Sequence, residues 1–283
     1  MRQKTSIGII GCGNMGSAIA ERIKNDYQTL VFDKDKKKTK GLKGIKVSDT
    51  ILGLVSQSDA VVLAVKPQDF YSVLNEIKDY TKDKLIISIA ASITTKDIDK
   101  ILGKVRVIRV MPNMPAVIGE GMSCICKGKY AKEKDLGFTE KLFKNLGKTL
   151  VVREIMMNAV TAISGSGPGY YYYLIEDEPE KYKSNRNLFK KQFISYLTAA
   201  AQDVGFSHPK ARFLSIATGN ACDSWLKKSG LPPEELKKRV ASKGGTTEAG
   251  LKVLKHNIRN LPKAVKAALR RARELSKKLQ PMR

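Results

Sequence analysis

In the first half of the chain, short apolar runs alternate with stretches whose apolar positions recur at helical spacing. Ile7, Ile9 and Ile10 predict a buried strand, Ala18, Ile19 and Ile23 a helix, and Thr29 to Phe32 a second strand. The alternation continues with a helix near Asp49 to Val55, a strand at Ala60 to Val65, a helix near Phe70 to Ile77 and a strand at Leu85 to Ile89. It closes with a helix near Lys96 to Leu102, strands at Val105 to Val110 and Met122 to Cys126, a helix near Lys132 to Leu146 and a strand at Thr149 to Val152. From about Ile155 the spacing is helical only, with helices expected at Leu188 to Val204, Pro209 to Lys227, Pro233 to Val240 and Thr247 to Lys255. A last helix starts near Asn260, an N-cap, with Pro262 in its first turn. Glu176 to Asn187 is polar, contains Pro179 and lacks apolar periodicity, which predicts a loop or protrusion. The expectation is an α/β fold: a doubly wound parallel sheet over residues 1–154, then an all-helical domain over 155–283.

Composition narrows the function classes. A chain of 283 residues with 42% hydrophobic content can bury two cores, and no apolar run reaches the length of a membrane span. The opening MRQKTS enters the first strand without a secretory pattern, so a cytoplasmic location is expected. Cys12, Cys124, Cys126 and Cys222 form no CxxC pair, and His208 and His256 lie in no motif, which speaks for reduced thiols and against a metal site or a histidine triad. Lys and Arg total 52 against 27 Asp and Glu, a net charge of +25. The excess thickens late, where Lys252, Lys255, Arg259, Lys263, Lys266, Arg270, Arg273 and Lys277 read as one helix face. Beside it runs an apolar stripe, Leu254, Ile258, Leu261, Val265, Ala268, Ala272, Leu275 and Leu279. A solvated basic face or a polyanion-binding helix both fit that pattern.

Candidate chemistry sits on glycine turns. Between the first strand and first helix, Gly11, Gly13 and Gly16 form GxGxxG with Asn14 and Met15 inside it, the Rossmann-type dinucleotide fingerprint. Lys66-Pro67, and Asn113 with Pro115, end later sheet strands and should border the nicotinamide end of a cofactor. Asp33, closing the second strand, suits a ribose 2′-OH, whereas Lys34, Lys36, Lys37 and Lys38 would offset its repulsion of a 2′-phosphate; NADH and NADPH both stay open. In the helical half lie SGSGPGY from Ser164 and SKGGTT from Ser242, the latter a helix start that suits a carboxylate ligand.

GCGNMGSAI at Gly11, AVKPQD at Ala64, RVMPNMP at Arg109, AVTAISGSGPGY at Ala159 and SKGGTTEAGL at Ser242 together resemble the Δ1-pyrroline-5-carboxylate reductase family. The resemblance implies an N-terminal nucleotide-binding domain, a C-terminal helical dimerisation domain, assembly as a homodimer or larger ring, and NAD(P)H reduction of a cyclic imine to L-proline. On that chemistry Thr247 donates near the imine nitrogen, and Ser242 with the N–H groups of Gly245 and Thr246 holds the substrate carboxylate. The chain departs from the family pattern at Lys243 (usually Pro), Met114 (Thr), Lys238 (acidic), and in roughly twenty extra residues from near Asp177, a loop longer than usual. Two other readings compete. One is another NAD(P)H-dependent imine or β-hydroxyacid enzyme, the latter disfavoured because Met156 to Ser166 offers no lysine acid/base. The other is a non-catalytic dinucleotide-binding dimer with a basic polyanion-binding helix.

Overall fold

The computed structural model describes residues 4–278; Leu279 of the apolar stripe and Met1 to Gln3 lie outside the described residues. In chain order the sheet-forming part runs β1 (Ser6–Ile10), α1 (Asn14–Ile23), β2 (Gln28–Phe32), β3 (Lys46–Val47), α2 (Ile51–Ser56), β4 (Ala60–Leu63) and α3 (Pro67–Ile77). It continues with β5 (Leu85–Ser88), α4 (Thr95–Leu102), β6 (Arg106–Pro112), β7 (Gly121–Lys127), α5 (Glu133–Lys144) and β8 (Gly147–Val151). The helical part comprises α6 (Met157–Val160), α7 (Gly167–Asp177), α8 (Pro179–Ser184), α9 (Arg186–Asp203), α10 (His208–Ser229), α11 (Pro233–Val240), α12 (Thr246–Leu254) and α13 (Leu261–Lys278). The eight strands form one sheet in the order β3-β2-β1-β4-β5-β6-β7-β8, with β1 parallel to both β2 and β4. Strand order therefore reverses at β1, and the crevice past its carboxyl end is where such sheets bind ligands. β4 and β5 are buried at every position, because helices cover both faces of a parallel sheet.

The chain folds as two compact units. One contains the chain to Met111, Cys124–Glu154 and the described chain end at Lys278; the other contains Pro112–Ser123 and Ile155–Lys277. The tip of the β6–β7 hairpin, with Asn113 and Pro115, thus packs with the helical unit rather than with the sheet, a difference from the contiguous division expected from the sequence. Asn113 explains it. Its side-chain oxygen accepts from Met122 N (2.8 Å), while its amide nitrogen donates to Ser164 O (3.3 Å) and lies 3.4 Å from Ser164 Oγ. Ser164 belongs to a π-helical turn, Thr161–Gly165, that joins α6 to α7.

Several expectations are corrected. Glu176 to Asn187 is helical rather than a loop: α7 runs to Asp177, then α8 and α9 follow with only Glu178 and Asn185 between them. One carboxylate organises this segment. Asp223 on α10 accepts from Tyr171 (3.2 Å), Tyr182 (3.1 Å) and Arg186 Nε (2.5 Å), with Lys190 Nζ 3.6 Å away. Although burial pushes its pKa up, the Arg186 guanidinium holds it below the ordinary carboxylate range. The basic stripe is not one helix face, because α12 ends at Leu254, Lys255 and His256 take positive φ, and α13 begins only at Leu261. Asn260 does not stand as an extended N-cap; it lies in a 3-10 turn and its amide donates to Leu254 O (3.3 Å). The two-residue β3 had no readable pattern, since both its residues are exposed.

All four cysteines are free and buried. Burial and neighbouring Asp33 raise the Cys12 thiol to about 12. Among the described residues no helix is long and apolar enough to cross a membrane.

Candidate active site

Two glycine turns, one in each unit, carry most of the predicted site residues. In the first, Gly11 has φ 101°, and a Cβ there would lie 2.7 Å from Ala64 O. A Cβ on Gly16 would lie 1.9 Å from Gly11 O, so these two glycines are demanded by the chain itself. Gly13 differs: a Cβ there would meet nothing within 4 Å, so its approach is open. Gly13 also caps α1 with no side-chain hydrogen bond, while α2 and α4 are capped by Thr50 and Thr94. An uncapped helix start beside an open backbone fits a dinucleotide pyrophosphate, which the N–H groups of Asn14 and Met15 would meet.

Asp33, the expected ribose acceptor, also holds its own loop. One carboxylate oxygen accepts from Cys12 N (2.7 Å) inside the glycine turn, the other from Asp35 N (2.8 Å), and Lys38 Nζ stands 3.6 Å away. Its side chain is 7% exposed, so it braces its own loop. Lys34 is exposed and paired with Asp69 at 2.9 Å, on the helix that Pro67 opens and Lys66 precedes. Pro67 is thus the first residue of α3 rather than a bare strand terminator, and Lys66 is exposed at its N-cap.

The second turn is held mainly by side chains. Gly244 takes φ 71°, its N–H donates to Glu248 (2.5 Å) and its carbonyl accepts from Arg271 Nε (2.8 Å). Gly245 N donates to Ser242 O (3.0 Å), which removes it from the carboxylate-holding role expected of it. Glu248 is held below its ordinary range by Gly244 N–H and then by Lys252. Gly244 and Gly245 also line a groove of about 420 Å³ with Lys252, Ala267, Arg270 and Arg271.

Thr246 and Thr247 open α12, and their hydroxyls meet on one serine. Thr247 Oγ1 donates to Ser166 Oγ at 3.1 Å, and Thr246 Oγ1 lies 3.2 Å from the same atom. Two glycines permit this approach: a Cβ on Gly169 of α7 would stand 2.4 Å from Thr247 Cγ2, and one on Gly250 of α12 would stand 2.6 Å from the Tyr170 hydroxyl. Each helix supplies the gap for the other's side chain. Ser166 and Tyr170 were missed as site residues, although SGSGPGY marked their segment, because the contact spans 81 residues. His256 was also underread: exposed, it stacks on Tyr173 (4.1 Å between centroids) and bonds its hydroxyl at 2.8 Å. Lys238 spends its charge on Glu234 (2.9 Å) of its own helix.

Among known proteins, residues 6–92 match a family model described as NADP oxidoreductase coenzyme F420-dependent, and residues 189–279 one described as pyrroline-5-carboxylate reductase dimerisation. Pyrroline-5-carboxylate reductase of Methanosarcina acetivorans is 34% identical, covering 98% of this chain and 100% of the relative. The solved structure of a pyrroline-5-carboxylate reductase from Coxiella burnetii aligns with TM-score 0.64 and 29% identity over 96% of this chain and 99% of that one. That of Plasmodium falciparum pyrroline carboxylate reductase with NADP bound aligns with TM-score 0.62 and 28% identity over 98% and 99%.

Proposed function

Since the chain belongs to the pyrroline-5-carboxylate reductase family, we infer that it reduces 1-pyrroline-5-carboxylate to L-proline with NADPH or NADH, in proline biosynthesis. Within the molecule, one observation carries the reading: the Thr247 hydroxyl, buried at the start of α12 and tied to Ser166 beside the Gly244 turn.

The first unit would hold the dinucleotide at Gly11, Gly13, Asn14, Met15 and Gly16, with Lys34, Lys66 and Pro67 near its path. A bound nicotinamide supplies hydride for the imine carbon. The chain supplies the rest. Ser242 and the first N–H groups of α12 hold the substrate carboxylate, the helix dipole adding to their pull. Thr247 directs its proton to the imine nitrogen, which makes the carbon more electrophilic, and fixed donors do this without reorganising. Asn113 and Pro115 act indirectly, Asn113 by bracing Ser164, two residues before Ser166 of the hydroxyl cluster. The match to a dimerisation model over residues 189–279 supports a homodimer. A larger ring of such dimers is the further expectation, read by solution mass, and a cytoplasmic location is read by fractionation.

The test is oxidation of NADPH and of NADH by purified protein with 1-pyrroline-5-carboxylate, with L-proline identified as product. Thr247→Val should bind cofactor normally and lower kcat about 100-fold. Absence of proline overturns the function; an unchanged kcat/KM in the variant removes Thr247 from its role.

A further inference from the structure

Ser166 sits at the start of α7, fully buried, with a hydroxyl that has one proton to give and two lone pairs to fill. Three other hydroxyls surround it. Thr246 Oγ1 lies 3.2 Å away, Thr247 Oγ1 lies 3.1 Å away, and Tyr170 follows one turn later, its N–H bonded to Ser166 O at 3.2 Å. Among the described residues the Tyr170 hydroxyl is buried with no hydrogen-bond partner and is hemmed in by Gly250. Burial pushes its pKa well up, and the Ser166 side chain is the neighbour that offsets this. Tyr170 is therefore a neutral donor without an acceptor, held one turn after Ser166 by its N–H bond to the Ser166 carbonyl.

We propose that Ser166 feeds Thr247, so that Thr246, Ser166 and Thr247 form a line of hydroxyls through which a solvent proton reaches the imine nitrogen. The inference rests on the reading of Thr247 as the donor to that nitrogen. In the structure Thr247 donates to Ser166. A hydroxyl proton turns about its C–O bond at little cost, and an imine nitrogen is a stronger acceptor than a serine oxygen. Once Thr247 turns to the substrate, its lone pair is open to the Ser166 proton, and one lone pair of Ser166 takes the Thr246 proton. The other is open to the unpartnered Tyr170 hydroxyl.

The step balances. The N–H bond forms as the Thr247 O–H bond breaks; Thr247 is refilled from Ser166, Ser166 from Thr246, and half-buried Thr246 from water. The hydride forms the new C–H bond as the nicotinamide is oxidised, one solvent proton is consumed, and the three hydroxyls end as they began. Tyr170 keeps its proton and fixes the direction of the line. It is a positioning residue.

The line matters only when the substrate arrives as a neutral imine. At acid pH it arrives as an iminium that already carries the proton. Around the cluster, Tyr170 on α7 is held neutral by burial and Glu248 on α12 is held ionised by Gly244 N–H and Lys252. The other charged or titratable groups nearby are Lys243 and Lys252 beside the turn, Arg271 on α13, Lys237 on α11, which pairs with Glu176, and His256 past α12, which bonds the Tyr173 hydroxyl and lies 3.2 Å from Asp177. A rise of pH from acid to mildly alkaline thus changes the substrate nitrogen and no group that bonds a hydroxyl of the line.

The experiment is the kcat pH profile of Ser166→Ala, with NADPH binding and thermal melting followed in parallel. We expect kcat about tenfold lower than wild type on the alkaline side, converging to within about threefold on the acid side, with the KM for the imine and NADPH binding unchanged. Thr246→Val reads the same line from its solvent end and stands in if Ser166→Ala does not fold, and Tyr170→Phe reads the positioning of Ser166. Equal losses at every pH, or no loss, overturn the inference. Thr247→Val in the same series separates the two readings: no loss there overturns the role of Thr247 itself, whereas a loss there without the pH-dependent loss at Ser166 overturns the relay alone.

Discussion

Both units open a helix with a glycine turn, and the turns are built on opposite principles. At Gly11–Gly16 the neighbours are backbone: Ala64 O and Gly11 O fill the space where Cβ atoms would stand. At Ser242–Thr247 they are mostly side chains: the Ser242 hydroxyl faces Gly245, Arg271 and Glu248 hold Gly244, and Ser166 joins the two threonines. A rigid backbone cradle suits a ligand bound the same way throughout a reaction, such as a pyrophosphate. Hydroxyls that can turn suit a ligand whose charge changes as it reacts. The difference follows from packing, since atoms in a backbone have no rotamers to adjust whereas a serine or threonine hydroxyl does.

The largest expected effect breaks the first turn. Gly16→Ala should cost about 3 kcal/mol or more and abolish NADPH binding, read by melting and cofactor fluorescence, because its Cβ can be housed only by moving backbone. Asp33→Asn comes next. If Asp33 braces Cys12 N, both cofactors weaken by a similar factor, about tenfold; loss of NADH binding alone would return Asp33 to the ribose. In the second turn, Gly245→Ala displaces chiefly the Ser242 hydroxyl, with Ser242 O next at 3.0 Å, so the protein should fold, with the KM for the imine raised about fivefold. A melt as damaged as that of Gly16→Ala would erase the contrast. Smallest is Glu248→Gln, about a twofold rise in KM at neutral pH. Because Glu248 is held below its unfolded range, its grip on Gly244 is complete above that range and lost as pH falls through the depressed value. Wild-type KM should therefore climb on the acid side, and the variant should stay flat.

What the sequence made legible was local. β1, its glycine turn and α1 could be read because their apolar spacing and their glycines belong to one segment, and the start of α12 could be read for the same reason. Ser166 could not be assigned, since its partners lie 80 and 81 residues away and no periodicity encodes which helices meet. Asp33 does more than its position implied, since one of its oxygens accepts from Cys12 N inside the glycine turn, a contact that no spacing encodes. Glu176 to Asn187 misled because polarity and Pro179 were weighed alone; helix there is supported from outside by Asp223, and Pro179 fits the first turn of α8.

That carboxylate also sets a clock. Tyr182 is synthesised 41 residues before Asp223, so at ordinary synthesis rates α8 waits roughly two to eight seconds for its anchor. During that interval Arg186 and Lys190 have no counter-charge from α10. The newborn chain has there only the local pairs Lys181–Glu178 and Lys183–Glu180, and the contacts that tie α8 to α10 close last.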